Sequence, residues 1–248
     1  MSRNFDLLQQ LEADRGFSFD RSAAPDPVAS AEIASSDHNA GWAGDEALRL
    51  VQQVFLLQTQ ERPRVVVFAG IDHGNGCSRI SAAVAEVLAR NSRRPICLVE
   101  ANFRSPALPA LFSTTNHHGL TDALLQEGPV RSFAKPVGHD MLWLLSSGVL
   151  AADSPNLLTS DRLKVRLTEL RSEFEFVIVD APPLTRYPDA IALGQRSDGL
   201  ILVLEADSTR KKAALMAAEN LRASNVPILG AVLNKRTFPI PEKIYSRL

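Results

Sequence analysis

An apolar run, Val65-Val66-Val67-Phe68, is followed by Gly70-Ile71-Asp72-His73-Gly74-Asn75-Gly76-Cys77-Ser78-Arg79 and then by a helical run from Ile80 to Arg90. A strand that passes through glycines into a helix is a building unit of parallel α/β sheets. The same turn aims backbone N–H groups into its own concavity. That is the arrangement of a phosphate-binding Walker A loop, which adds a Lys for the β/γ-phosphates and a Ser or Thr for Mg²⁺. Gly74, Gly76 and Ser78 are in register with such a loop, but the Lys position is Cys77.

The alternation continues along the chain. Strands are predicted at 64–69, 95–101, 141–146, 175–181, 198–205 and 227–233, and helices at 45–60, 78–90, 119–126, 158–172, 187–194 and 209–223. The strand runs are rich in Val, Ile and Leu without polar alternation. Such strands are buried on both faces, which predicts an α/β fold with a mostly parallel central sheet and helices on both sides. In sheets of this kind a ligand sits outside the carboxyl ends of the strands.

Ahead of this body, residues 1–44 read as an arm. Phe5, Leu7, Leu8 and Leu11 lie on one side of a short helix at 1–13, either packed on the body or serving as a docking peptide. Residues 20–44 are rich in Ala, Ser, Asp and Pro and read as a linker, with Trp42 expected to tuck against the body. The body is expected to span 45–236, with a tail at 237–248. Lys+Arg 27 against Asp+Glu 28 gives no basic surplus for nucleic acid. Cys77 and Cys97 form no disulfide or zinc framework. The longest apolar runs, such as Leu200-Ile201-Leu202-Val203-Leu204, are strand-sized, and Met1 to Asp6 starts no signal region. A cytoplasmic protein is expected.

Three strand ends carry polar residues. The second strand ends Val99-Glu100-Ala101-Asn102, the fourth Val179-Asp180-Ala181-Pro182-Pro183, and the last Val232-Leu233-Asn234-Lys235. A carboxylate at a strand end opposite the loop suits Mg²⁺ held through water, so Asp180 fits a Walker B role. The alternative is an Asp that caps a Pro-Pro turn.

Loop, carboxylate-bearing second strand with Arg104-Ser105-Pro106, apolar-Asp180-Ala181-Pro182-Pro183 and apolar-Asn234 together resemble the bacterial tyrosine kinases of capsule and exopolysaccharide synthesis. These are relatives of the MinD/ParA P-loop NTPases. The resemblance covers about residues 45–235 and includes Gly119-Leu120-Thr121-Asp122, Leu144-Leu145-Ser146-Ser147-Gly148, Ser154-Pro155-Asn156-Leu157-Leu158, Asp189-Ala190 and Ser197-Asp198-Gly199. It implies ATP or ADP with Mg²⁺ as cofactor, held by Gly74, Asn75, Gly76, Cys77, Ser78, Arg79 and Asn234, with the metal at Ser78 and Asp180. It also implies a membrane polysaccharide co-polymerase or chain-length regulator as activator or anchor. A MinD/ParA member would carry a signature Lys early in the loop, where Asp72 stands.

The departures from the family pattern are correlated. Its Walker A Lys falls on Cys77 and the adjacent Thr on Arg79. The two Asp residues of its second Walker motif, associated with activating the tyrosine hydroxyl and with Mg²⁺, fall on Glu100 and Asn102. Its E-x-x-R-x-x-R oligomerisation helix falls on Glu46, Arg49 and Gln52, and its C-terminal tyrosine cluster is absent, leaving Tyr187 and Tyr245. A Lys–phosphate contact is worth about 1.5–3 kcal/mol, so nucleotide binding survives in weakened form on backbone amides. One cation on the transferring phosphoryl group is worth on the order of 10³–10⁵ in rate, so kinase activity is expected to be very low. Arg79 lies about 100° further round the helix and is a poor substitute. Cys77 itself is either a small residue that drifted in or a redox-sensitive thiolate at a helix N-terminus. Three functions stay open: a non-catalytic regulator that still binds nucleotide, an active kinase or ATPase with a rearranged site, and a structural partner without ligand.

Overall fold

The computed structural model describes residues 38–56, 62–138, 140–149 and 157–236. The expected helix at 1–13, most of the 20–44 linker, the side chain of Trp42, Ser154-Pro155-Asn156 and the tail with Tyr245 lie outside the described residues.

Six strands form where the apolar runs lie: β1 (Val65–Gly70), β2 (Ile96–Glu100), β4 (Leu142–Leu145), β5 (Phe176–Ala181), β6 (Gly199–Glu205) and β7 (Ile228–Asn234). A two-residue edge strand, β3 (Lys135–Pro136), adds a seventh. The order across the sheet is β3-β4-β2-β5-β1-β6-β7, and every pairing is parallel except β3 with β4. That antiparallel edge is absent from the sequence prediction. Two residues give no periodic signal, and Pro136 lacks the N–H of a regular ladder residue, which restricts it to an edge.

The helices are α1 (His38–Val51), α2 (Cys77–Asn91), α3 (Leu108–Leu111), α4 (Leu120–Leu125), α5 (Asp161–Glu173), α6 (Asp189–Gly194) and α7 (Lys211–Ala223). α1 starts at His38, so residues 38–44, read as linker, are helical instead. After Val51 it continues as a π-helical turn, Gln52–Leu56, that buries Val54 and Phe55, and the rest of the helix expected to 60 lies outside the described residues. Phe55 meets Phe176 edge-on, ring centroids 5.3 Å apart, where β5 begins.

Central strands are buried on both faces, and two hydrophobic clusters flank the sheet. In α2 the buried residues Ser81, Ala82, Val84, Ala85, Leu88 and Ala89 follow helical spacing and face β1 and β5. Each of Val84 and Leu88, fully buried, contributes about 1.5–3 kcal/mol. At the amino edge of the sheet Asp198 accepts the backbone N–H groups of Arg64 and Val65 at 2.7 and 2.8 Å, and the Arg171 guanidinium. The Asp198 carboxyl is therefore held below its ordinary range despite partial burial. This knot fixes where β1 starts, and so the length of strand that delivers the chain to the loop at its other end.

Candidate functional site

The turn between β1 and α2 is built from two left-handed glycines, Gly74 at φ +86° and Gly76 at φ +84°. Gly76 is the residue before α2 and supplies no side-chain cap. The first-turn amides of α2 thus have no preceding carbonyl to bond and point outward with the positive end of the helix dipole. A Cβ on Gly76 would lie 2.3 Å from Asn234 Nδ2. That closeness has a function: Asn234 Nδ2 donates to Asn75 O at 2.8 Å, tying the end of β7 to the loop.

Asn75, almost fully buried, braces the loop from inside. Its Oδ1 accepts the Asp72 N–H at 2.6 Å and its Nδ2 donates to Glu205 Oε2 at 3.2 Å. Asp72, where a signature Lys would stand, accepts the Thr185 hydroxyl at 2.8 Å. Lys235 donates to Gly74 O at 2.8 Å and pairs with Glu205 Oε1 at 3.2 Å. Glu205, Lys235 and Thr185 were not singled out from the sequence. The available signal was their position at or just past the carboxyl ends of β5, β6 and β7, the edge already expected to bind.

On the other side of β1 the carboxyl ends of β5 and β2 bring acids together. Asp180 and Glu100 are register partners in neighbouring strands, and both are fully buried. Ser78 donates to Asp180 Oδ2 at 2.5 Å, and Ser81 donates to Asp180 Oδ1 at 3.3 Å. The Cys77 thiol also faces Asp180. Burial raises the Asp180 carboxyl to about 6 against these donors. Glu100 is pushed up to about 8, first by burial and then by the Asp180 charge. Cys77 is raised as well, by desolvation and then by Asp180. Desolvation and the neighbouring Asp180 thus oppose the thiolate that the helix N-terminus favours.

Glu100 is turned partly to structure. Its Oε2 accepts the Ala107 and Leu108 N–H groups at 2.8 and 2.7 Å, capping α3. Its Oε1, and Oδ1 of the buried Asn102, have no hydrogen-bond donor. The Asp180 carboxyl with its Ser78 partner and the unpartnered Asn102 Oδ1 fit a hydrated cation, and the open amides of the loop fit an anionic phosphate. Among the described residues no cluster of three His, Cys, Asp or Glu forms a metal cage.

The remaining expected residues fall in two groups. Arg79 is exposed on the first turn of α2, while Glu46 and Arg49 are exposed on α1. Arg104 pairs with Asp189 at 3.5 Å and lies 3.9 Å over the Tyr187 ring. Gly119 to Asp122 packs against Ser146 and Ser147 through backbone bonds of 2.7 and 3.0 Å, a structural contact at the end of β4. A cavity of about 580 Å³ opens at the opposite edge, near Lys164, Arg171 and Arg196. Arg171 there is committed to Asp198, and Arg196 to the carbonyls of Ala192 and Thr159.

No protein-family model matches the chain. It is 31% identical over 161 residues to the tyrosine-protein kinase YwqD of Bacillus subtilis, covering 65% of this chain and 68% of that protein. It is 24% identical over 188 residues to the tyrosine-protein kinase Etk of Escherichia coli strain K12, covering 76% of this chain but 26% of Etk. The chain thus spans about a quarter of that relative's length. The solved kinase domain of E. coli Etk is similar with a TM-score of 0.71 at 24% identity, over 79% of this chain and 78% of that one. MinD of Pyrococcus horikoshii, solved with Mg-ADP, is similar with a TM-score of 0.58 at 17% identity, over 74% and 76%.

Proposed function

Because the chain belongs to the bacterial tyrosine-protein kinases, we propose that it is a member that retains a nucleotide cradle but has lost efficient phosphoryl transfer, acting as a regulator. The observation that carries this reading is Cys77. At the position of the loop Lys stands a thiol that faces Asp180 and brings no positive charge.

The residues divide the work of binding. The amides from Gly74 to Arg79 would hold phosphate, with Asn234 keeping the loop in shape. Ser78 and Asp180 would hold Mg²⁺ through bound water, with Asn102 Oδ1 as an outer acceptor. Bound Mg²⁺ supplies charge neutralisation for the phosphates. Glu100 stands where the family has a carboxylate that activates a tyrosine hydroxyl. With its carboxyl raised by burial and one oxygen spent on α3, it is a poor base at neutral pH. Binding without turnover follows from that combination.

In this reading the chain takes part in capsule or exopolysaccharide biosynthesis and meets a membrane polysaccharide co-polymerase as activator or anchor. Glu46 and Arg49, exposed on α1, are the surface for self-association. Among the described residues no helix is long and apolar enough to cross a membrane. In this reading the co-polymerase brings the chain to the membrane. Calorimetry with Mg-ATP beside an assay for ADP release and phosphotyrosine is the test. Binding without turnover is expected. Turnover abolished by Asp180→Ala would overturn the regulator in favour of an active kinase or ATPase, a reading favoured by the intact Ser78–Asp180 pair.

A further inference from the structure

At the end of the sheet opposite the loop, the cavity of about 580 Å³ lies between α5 and the chain that follows α6, with Val65 at the start of β1 in its wall. Its size falls within the roughly 300–1,000 Å³ of small-molecule sites. Neither the loop nor the acidic pair lines it. What it can hold follows from which of its polar atoms are already used.

Its donors are cationic. The Lys164 ammonium, exposed on α5, has no partner among the described residues. Arg196 gives one N–H to Ala192 O at 2.9 Å and another to Thr159 O at 3.1 Å. Neutral carbonyls orient a guanidinium without cancelling its charge, and they leave N–H groups over. Arg171 differs, because Asp198 meets its charge. Among the described residues Asp161 is the carboxylate that lines the cavity. Lys164 and Arg196 set against Asp161 therefore leave a positive excess, which calls for an anion.

The other polar atoms are acceptors. Thr168 spends its hydroxyl hydrogen on Lys164 O at 2.9 Å, and Ser197 spends its own on Gly194 O at 3.0 Å. Gln195 donates to Ser224 O at 3.0 Å and keeps its Oε1. A hydroxyl whose hydrogen is committed can only accept, so these oxygens suit a ligand that brings donors. A bare anion would meet the cations alone. A sugar hydroxyl would meet the acceptors as well, and two cations not matched by carbonyl contacts suit the double charge of a phosphate.

We propose that this cavity binds a phosphorylated sugar, its phosphate held by Lys164 and Arg196 and its hydroxyls donating to Thr168 Oγ1, Ser197 Oγ and Asp161. The site is separate from the loop and stands whether or not the loop takes a nucleotide.

Calorimetry on the full chain with glucose 6-phosphate, glucose 1-phosphate, inorganic phosphate and glucose is the test. It uses wild type, Lys164→Glu and Thr168→Val, with melting curves to verify folding; both side chains are exposed, so the fold is expected to hold. One or both sugar phosphates are expected to bind at least about tenfold more tightly than phosphate or glucose. Lys164→Glu is expected to weaken that binding by about tenfold or more, and Thr168→Val by about threefold. No binding of either sugar phosphate would overturn the assignment. So would inorganic phosphate binding as tightly, which would mark a site for anions alone. Sugar-phosphate affinity unchanged in Lys164→Glu would place the ligand elsewhere, and affinity unchanged in Thr168→Val would mean that its hydroxyls are not read; either result would overturn the proposal.

Discussion

Ser78 donates its hydroxyl to Asp180 Oδ2 at 2.5 Å, so the first turn of α2 and the end of β5 are tied directly. Asp180→Asn keeps the shape but presents an amide N–H₂ to donors and removes the one anion facing Ser78. Nucleotide affinity measured with Mg²⁺ and with EDTA is expected to differ by about tenfold or more in wild type and to converge in the variant.

Gly76→Ala combines two penalties. The residue sits at φ +84°, and its new methyl would meet Asn234 Nδ2 at 2.3 Å. Strain of this kind costs about 1–3 kcal/mol, and relief by moving Asn234 would release Asn75 O. Urea unfolding is expected to show that loss of stability, and calorimetry a matching loss of nucleotide binding.

Stability should fall as pH rises through neutrality. Glu100 and Asp180 are raised to about 8 and about 6 in the fold, while unfolded carboxyls titrate near 4. Between those limits the folded pair binds more protons than the unfolded chain, so deprotonation favours unfolding. The slope is at most about 1.4 kcal/mol per pH unit for each proton. Denaturant midpoints from pH 5.5 to 8.5 check this, and Glu100→Gln is expected to flatten the upper half of the curve.

Cys77 should be a sluggish thiol. Burial and Asp180 both hold it in the S–H form, so carboxamidomethylation at pH 8 is expected to run at least about tenfold slower than for a free thiol. Asp180→Asn should speed it, which mass spectrometry would register at that peptide.

Arg166, buried on α5, donates to the carbonyls of Ala123, Gln126 and Gly128 at 2.6–2.7 Å and pairs with Glu169. It spans the turn after α4. Arg166→Met strands the Ala123 and Gly128 carbonyls, while Gln126 O keeps its bond from Arg162 at 2.7 Å, and is expected to cost about 3–5 kcal/mol in thermal or urea unfolding, with Glu169→Gln costing far less because that carboxylate is more exposed.

The sheet was legible in the sequence because its strands are uninterrupted apolar runs, and strands buried on both faces can be little else. The polar residues at the carboxyl edge were legible for the same reason: Asp180 and Asn234 stand where such runs stop. What escaped is non-local. Lys235 meets Gly74 across 161 positions, and no spacing rule couples them. The capping of α3 by Glu100 also escaped, because a carboxylate at a strand end reads as chemistry and a four-residue helix leaves no periodic trace. The start of α1 was missed because His38 to Gly44 is weakly apolar, and tertiary contact of its later turns with α2 decides its fate.

The reach of Glu100 gives one carboxylate two neighbours at once. An Asp there would be one methylene shorter; Glu extends to the Ala107 and Leu108 amides and supports the polypeptide that follows β2. The same side chain is the register partner of Asp180, so it is a strut of α3 and part of the acidic pair together. Shortening it would disturb both at a stroke, and the electrostatics beside Asp180 cannot be tuned through its length without loosening the start of α3.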